Sequence, residues 1–205
     1  MKIIQRTILP FQEKLFFHPI RDKIDYAKIV VLASRTLLLN MNNDDTQCNS
    51  EMKLIVNKMS RLFFYHDKKY FSISFPFLVQ SQNDEVTSIR TLTGRNIDNQ
   101  DISKILSILQ DNQFKLNPSL TMFYRESSGL NRNSLLVLEE ILLSEPSYIR
   151  YDYDRENENG KLHPLHHLDI NYSAYGTFKL GLENEIVEGY FEDTLNINTD
   201  CCYLN

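Results

Sequence analysis

Apolar residues at Ala27, Val30, Val31, Leu38 and Met41 recur at helical spacing through residues 25–41. Enough other apolar residues lie between them to cover most of the surface, so the pattern predicts a core helix. A polar break at 42–46 follows. Segments 62–65 and 70–78 are rich in aromatic and β-branched residues on either side of His66, Asp67, Lys68 and Lys69, which predicts a hairpin with an ordinary charged tip. Pro76 ends the second strand or leaves it at an edge. Ile102, Ile105, Leu106 and Leu109 stand at i, i+3, i+4 and i+7 behind capping candidates Asn99 and Asp101, the clearest helical signature in the chain.

Further on, 121–125 and 134–138 read as strands joined by a loop with Ser127, Ser128 and Gly129. Residues 134–143 also satisfy a helical period, but the hairpin is preferred. Residues 147–154 alternate polar and apolar. With 166–171 and 177–180 they predict an antiparallel meander. The stretch 184–196 sets Val187, Tyr190, Phe191 and Leu195 on one helical face, expected to pack on that meander. The expected fold is a single α+β domain over 1–205, an antiparallel sheet packed by helices, helix-rich in its N-terminal part and hairpin-rich in its C-terminal part.

Composition narrows the classes. At 205 residues, with 42% hydrophobic, 24% charged and 11% aromatic residues, the chain can bury a core and matches no disordered, collagenous or coiled-coil composition. Its charge of −5 is uneven: residues 1–100 hold 14 basic against 10 acidic side chains, and 101–205 hold 8 against 17. That argues against a general nucleic-acid coat while leaving room for a basic patch in the first half. Cys48, Cys201 and Cys202 are an odd set with no disulfide framework, which fits a reducing, cytoplasmic compartment. The N-terminus lacks a signal-peptide core, and the longest apolar run, 29–39, is interrupted by Arg35 and is far short of the about twenty residues a membrane span needs. A soluble protein without a membrane partner is expected, and the prenylation-like outline of 202–205 is read as coincidence.

Chemistry concentrates in one place. Arg150, Asp152 and Asp154 share a strand face opposite Tyr151 and Tyr153, while His167, Asp169 and Asn171 share a face of the next strand. Only a short loop separates the strands, so they should pair antiparallel and gather one Arg, three carboxylates and at least one His in one place. Two chemistries are open. Asp152, Asp154, Asp169 and a His could hold one or two divalent cations such as Mg²⁺ or Mn²⁺ that activate water and neutralise a phosphoryl oxygen. Without metal, His167 and His163 could serve as base and acid while Arg150 stabilises negative charge. The plain alternative is a solvated sheet face laced with cross-strand ion pairs.

These residues also carry a resemblance. The run from Tyr148 to Asp154, the His163-Pro164-Leu165-His166-His167-Leu168 segment, and the closing stretch from Val187 to Leu195 look like a bacterial family catalogued as domain of unknown function 2290. The likeness is good over 121–195 and only in outline before it. The family usually follows its histidines with Gly and then Arg-Ile-Pro, where this chain has Asn171 and Thr177-Phe178-Lys179, leaving Lys179 as the nearest substitute cation. The resemblance implies a bacterial cytosolic protein and favours the Arg/Asp/His cluster, without supplying a reaction. By motif analogy the expected function is a nuclease-like, phosphodiester-directed toxin or phage-defence component acting on nucleic acid. The alternative is a non-catalytic interaction partner or regulatory subunit of such a complex, bound to the product of a neighbouring gene, with tyrosines 151, 153, 172 and 175 available to dock it.

Overall fold

A computed structural model of the chain describes residues 2–39, 49–58, 60–67, 69–126, 132–173 and 175–201. The polar break, Cys48, Lys68, the 127–129 loop and the 202–205 tail lie outside them. The elements are β1 (Lys2–Thr7), α1 (Pro10–Phe16), α2 (Lys23–Leu39), β2 (Ser50–Val56), β3 (Arg61–His66), β4 (Lys69–Ser74), β5 (Leu78–Gln82), β6 (Glu85–Arg90) and β7 (Asn96–Ile97). There follow α3 (Asn99–Gln110), α4 (Asn112–Leu116), α5 (Thr121–Glu126), α6 (Arg132–Leu143), β8 (Ile149–Tyr153), β9 (His166–Ile170), β10 (Phe178–Leu182) and α7 (Glu188–Leu195). The α+β class is as the pattern predicts. The described residues form two compact units, each assembled from separated stretches: Met1–Glu13, Asp45–Ser74 and Ser147–Asn205 in one, Lys14–Asp44 and Phe75–Pro146 in the other. The first unit holds most of the strands and the second most of the helices.

The first unit is a seven-stranded antiparallel sheet in the order β1-β2-β3-β4-β8-β9-β10. The β3–β4 hairpin turns at Asp67, whose φ of 49° lies in the left-handed region that Asp tolerates. In the predicted meander, Ile149 faces Ile170 and Ile170 faces Phe178 across consecutive ladders. Period-two alternation then fixes two faces. One carries Ile55, Phe63, Tyr65, Tyr70 and Tyr151, buried around Phe191 of α7, with Ile149, Leu168, Leu182, Ile186 and Leu195 at its margin. The Phe191 ring stands 6.1 Å from both Phe63 and Tyr70, and its burial stabilises the helix dock by about 1.5–3 kcal/mol. The expected packing face of α7 needs correction. Phe191 and Leu195 turn to the sheet, but Val187 is 67% and Tyr190 49% exposed, because the helix begins only at Glu188 and lies over β3, β4 and β8 rather than over the meander alone.

The opposite face holds buried Met52, Leu54, Leu62, Phe64, Phe71 and Ile73, then changes character at β8. From there it is charged: Arg150 and Asp152, then His167 and Asp169, then Lys179.

The second unit sets α2, α3 and α6 with the three-stranded sheet β5-β6-β7. α2 is buried nearly all round, as its sequence predicts. Asp98, rather than Asn99 or Asp101, caps α3: its carboxylate accepts the backbone N–H groups of Gln100 and Asp101, both at 2.8 Å. The hairpin expected at 121–138 is replaced by α5 and α6. Ser134, Leu135, Val137, Leu138 and Ile141 are buried at i, i+1, i+3, i+4 and i+7, one helical face. Asp101 fixes the start of that helix by accepting from Ser134 Oγ at 2.6 Å and Asn133 Nδ2 at 2.8 Å. The apolar pattern suited either structure, and these polar anchors suit only the helix.

Candidate functional site

The charged end of the sheet brings five side chains into one network. Arg150 Nη2 lies 2.6 Å from Asp152 Oδ2 and 2.6 Å from Asp169 Oδ2, joining β8 to β9. Lys179 Nζ, from β10, lies 2.8 Å from Asp169 Oδ1 and 2.9 Å from His167 Nε2. On the far side of the imidazole, His167 Nδ1 is 2.8 Å from the Pro164 carbonyl oxygen. A carbonyl only accepts and an ammonium only donates, so Nδ1 carries the proton and Nε2 presents its lone pair to Lys179. His167 is thereby a neutral imidazole of fixed tautomer.

Burial is steep across the cluster. His167 and Asp169 are sealed and Asp152 is nearly so, whereas Arg150 and Lys179 keep 24% and 29% of their side chains exposed. Burial alone would raise the Asp169 carboxyl, yet hydrogen bonds from Lys179 and Thr177 and the charge of Arg150 hold it below the usual carboxylate range. Burial would likewise lower Arg150, but Tyr148, Asp152 and Asp169 beside it raise it. The buried Tyr148 phenol is pushed up to about 12.

Of the residues singled out in the sequence, Arg150, Asp152, His167 and Asp169 meet in this network. Asp154 and His163 form an adjoining pair, with His163 Nε2 3.2 Å from Asp154 Oδ2. Asn157 Nδ2 sits 3.0 Å from that same oxygen, and these contacts hold the Asp154 carboxyl low although burial opposes it. The His163 ring meets His167 edge-on at 4.8 Å. His166 points to the other face, where its Nδ1 lies 2.9 Å from the Tyr151 hydroxyl. Lys179 entered the sequence analysis only through the family resemblance. Its position opposite Asp169 in the β9–β10 ladder could have been found by extending the alternation one strand further.

A three-ligand set does exist, but it is Asp152, His167 and Asp169, whose donor atoms lie within 4.8 Å of one another, rather than Asp152, Asp154 and Asp169. Its chemistry does not suit Mg²⁺ or Mn²⁺. The facing carboxylate oxygens and Nε2 are already bonded to Arg150 and Lys179, and a divalent ion would stand against two fixed cations.

A second constellation went unread in the sequence. Ser50 Oγ is 2.6 Å from Glu13 Oε1 and 2.7 Å from His66 Nδ1. The carboxylate takes the hydroxyl proton, so the histidine N–H must donate to Oγ, the reverse of nucleophile activation. Ser50 is also buried, at 2% exposure. The second unit holds a cavity of about 360 Å³ lined by Asp111, Gln113, Phe114, Asn117, Met122 and Phe123 among others, and a smaller one of about 200 Å³ near Lys14, His18 and Lys28. Neither is lined by a residue of the charged network. No protein-family model, curated protein or solved structure matches the chain. Among the described residues, no helix is long and apolar enough to cross a membrane.

Proposed function

We propose that this protein works by binding a partner protein, and that the Arg150, Asp152, His167, Asp169 and Lys179 network is an internal clasp for the sheet that presents the binding surface. One observation supports this reading above the others: the network closes on itself. Two carboxylates face two cations, and the imidazole between them spends both nitrogens on Pro164 and Lys179. Such a set ties β8, β9 and β10 together and, in its resting state, engages both carboxylates and both imidazole nitrogens. Taken with the resemblance to family 2290, it suggests a bacterial cytosolic regulatory subunit whose partner is encoded nearby, in a toxin or phage-defence system. The test is cleavage of a panel of RNA, single-stranded DNA and duplex DNA, with and without Mg²⁺ or Mn²⁺. Wild type is expected to leave every substrate intact and to co-purify from its native host with one stoichiometric protein. Cleavage abolished by His167→Ala would overturn the reading.

That outcome would favour the second reading, a phosphodiester-directed enzyme. Its specific support is the rim: Arg150 and Lys179 both reach solvent, and Arg150 Nε has no hydrogen-bond partner among the described residues. A phosphate arriving there would draw Lys179 away from His167 and bare Nε2 as the base for a ribose hydroxyl proton, with His163 as the acid that returns a proton to the leaving oxygen.

A further inference from the structure

The loop between β8 and β9 contains a small turn of its own. Asn159 and His163 face each other as an isolated antiparallel bridge. Asn159 N–H donates to the His163 carbonyl at 2.8 Å, and the Asn159 carbonyl accepts from Leu162 N–H at 3.1 Å and His163 N–H at 3.3 Å. The chain reverses through Gly160, whose φ of 49° lies in the left-handed region that glycine adopts without cost. Asn159, Gly160, Lys161 and Leu162 are all exposed. This turn delivers His163 to Asp154 and, edge-on, to His167.

Asn followed by Gly is a turn-forming pair, and it occurs once in the chain. It is also a chemically labile pair, because a residue without a side chain lets its backbone nitrogen approach the preceding asparagine Cγ. Nothing obstructs that approach here. A Cβ at position 160 would meet no atom within 4 Å. Among the described residues, neither the Asn159 carboxamide nor the Gly160 N–H has a hydrogen-bond partner. Asn157, two residues earlier, provides the contrast: its carboxamide donates to both Asp154 oxygens, at 3.1 and 3.0 Å, and Glu158 puts a side chain on the residue that would have to attack.

We propose that Asn159-Gly160 is a site of spontaneous deamidation, and that the modification releases the turn carrying His163. The Gly160 nitrogen gives up its proton and bonds to Asn159 Cγ, while the carboxamide C–N bond breaks and its nitrogen takes up a proton and leaves as ammonia. Water then opens the succinimide ring. Opening at Cγ gives aspartate, and opening at the main-chain carbonyl gives isoaspartate, whose chain runs through Cβ and Cγ. In isoaspartate the main chain is one methylene longer, and the carbonyl that accepted from Leu162 and His163 has become a free carboxylate. The bridge between 159 and 163 then cannot close as before. His163 loses its backbone tether beside Asp154 and His167, one residue from the Pro164 carbonyl that fixes the His167 tautomer. Water is the sole reagent, and the inference holds whether the protein binds a partner or cleaves phosphodiesters.

The test incubates the full chain for days at mildly alkaline pH and body temperature, beside a denatured sample, and reads tryptic peptide 156–161 by tandem mass spectrometry. A gain of about 1 Da, the exchange of an amide NH₂ for OH, is expected at Asn159 in the folded protein and not at Asn157. The isoaspartyl product should accept a methyl group from S-adenosylmethionine through a protein isoaspartyl methyltransferase. Asn159→Gln keeps an amide at the position but closes its larger imide ring far more slowly, and should abolish both signals. Spectra of ¹⁵N-histidine-labelled protein should show a second His163 population in aged wild type and none in aged Asn159→Gln. Mass gained in the denatured sample alone would mean that the turn protects the pair, and the proposal falls. Deamidation that leaves the His163 signals unmoved would overturn it equally, because release of the turn is part of the proposal.

Discussion

The Pro164 ring lies over Gly181, so that a Cβ at position 181 would stand 2.9 Å from Pro164 Cγ. Gly181 sits opposite His167 in the β9–β10 ladder, and the carbonyl of the same proline fixes the His167 proton. An absent side chain on β10 thus lets the loop descend and set the tautomer one strand away. Gly181→Ala must push Pro164 outward, at about 1–3 kcal/mol of stability, the cost of overpacking a filled site. The check is the urea midpoint together with the ¹⁵N shifts of His167, which should lose the Nδ1–H signature. An unchanged midpoint would show that the loop yields freely.

Arg150 Nη2 lies 2.6 Å from each of the two buried carboxylates, Asp152 and Asp169. Arg150→Met would leave Asp152 and Asp169 facing each other with Lys179 alone to balance them, a broken buried pair expected to cost about 3–5 kcal/mol. Asp169→Asn in the same background should recover part of that loss, because the unpaired charge is then gone. A double-mutant cycle measures the coupling. Strict additivity of the two substitutions would remove the clasp from the account of stability.

How much of this was legible follows from which forces acted locally. The meander and its two faces could be read because Arg150-Tyr151-Asp152-Tyr153 alternates without interruption and the loop to His163 is too short for anything but an antiparallel return. The α2 and α3 helices were legible from periodicity alone. α6 was not, since Ser134 and Asn133 gain their meaning only from Asp101, thirty-three and thirty-two residues away. β1 and β2 were missed because they pair with each other across a long sequence gap. The β5–β6 hairpin left a local clue in Asn83 and Asp84, both at positive φ in its turn, that went unread. For the cluster, residue types were visible, while closure of the network by Lys179 needed the register of β10.

The same closure predicts how metals behave. With Arg150 and Lys179 in place, millimolar Mg²⁺ or Mn²⁺ is expected to leave the melting temperature unchanged. Lys179→Ala frees Asp169 Oδ1 and His167 Nε2, two donors of the three-ligand set. That variant alone is expected to gain stability with rising Mn²⁺, read by differential scanning fluorimetry. A shift in wild type would mean that a divalent ion displaces the lysine, and the clasp would have to be abandoned for a metal site.

Stability should fall at both ends of the pH scale, for separate reasons. The Asp169 carboxyl is held below its unfolded value of about 3.9, so its contribution is complete above that value and is lost as pH falls through the lower folded one. Tyr148 runs the other way. Burial raises its phenol to about 12, against an unfolded value of about 10, so its contribution is complete below about 10 and is lost as pH rises toward the folded value. Each proton sets a slope of at most about 1.4 kcal/mol per pH unit within its window. Asp154 adds to the acid limb, since Asn157 and His163 hold it low against burial, and Tyr65, Tyr70 and Tyr151, all raised chiefly by burial, add to the alkaline one. Urea midpoints measured across pH should therefore show a plateau near neutrality. Asp169→Asn should flatten the acid limb, and Tyr148→Phe should remove one proton's share of the alkaline limb while sparing the acid side. If Asp169→Asn left the acid limb as steep as in wild type, the carboxylate would not be gaining net stability from Lys179, Thr177 and Arg150. The network would then be a consequence of the fold rather than a support for it.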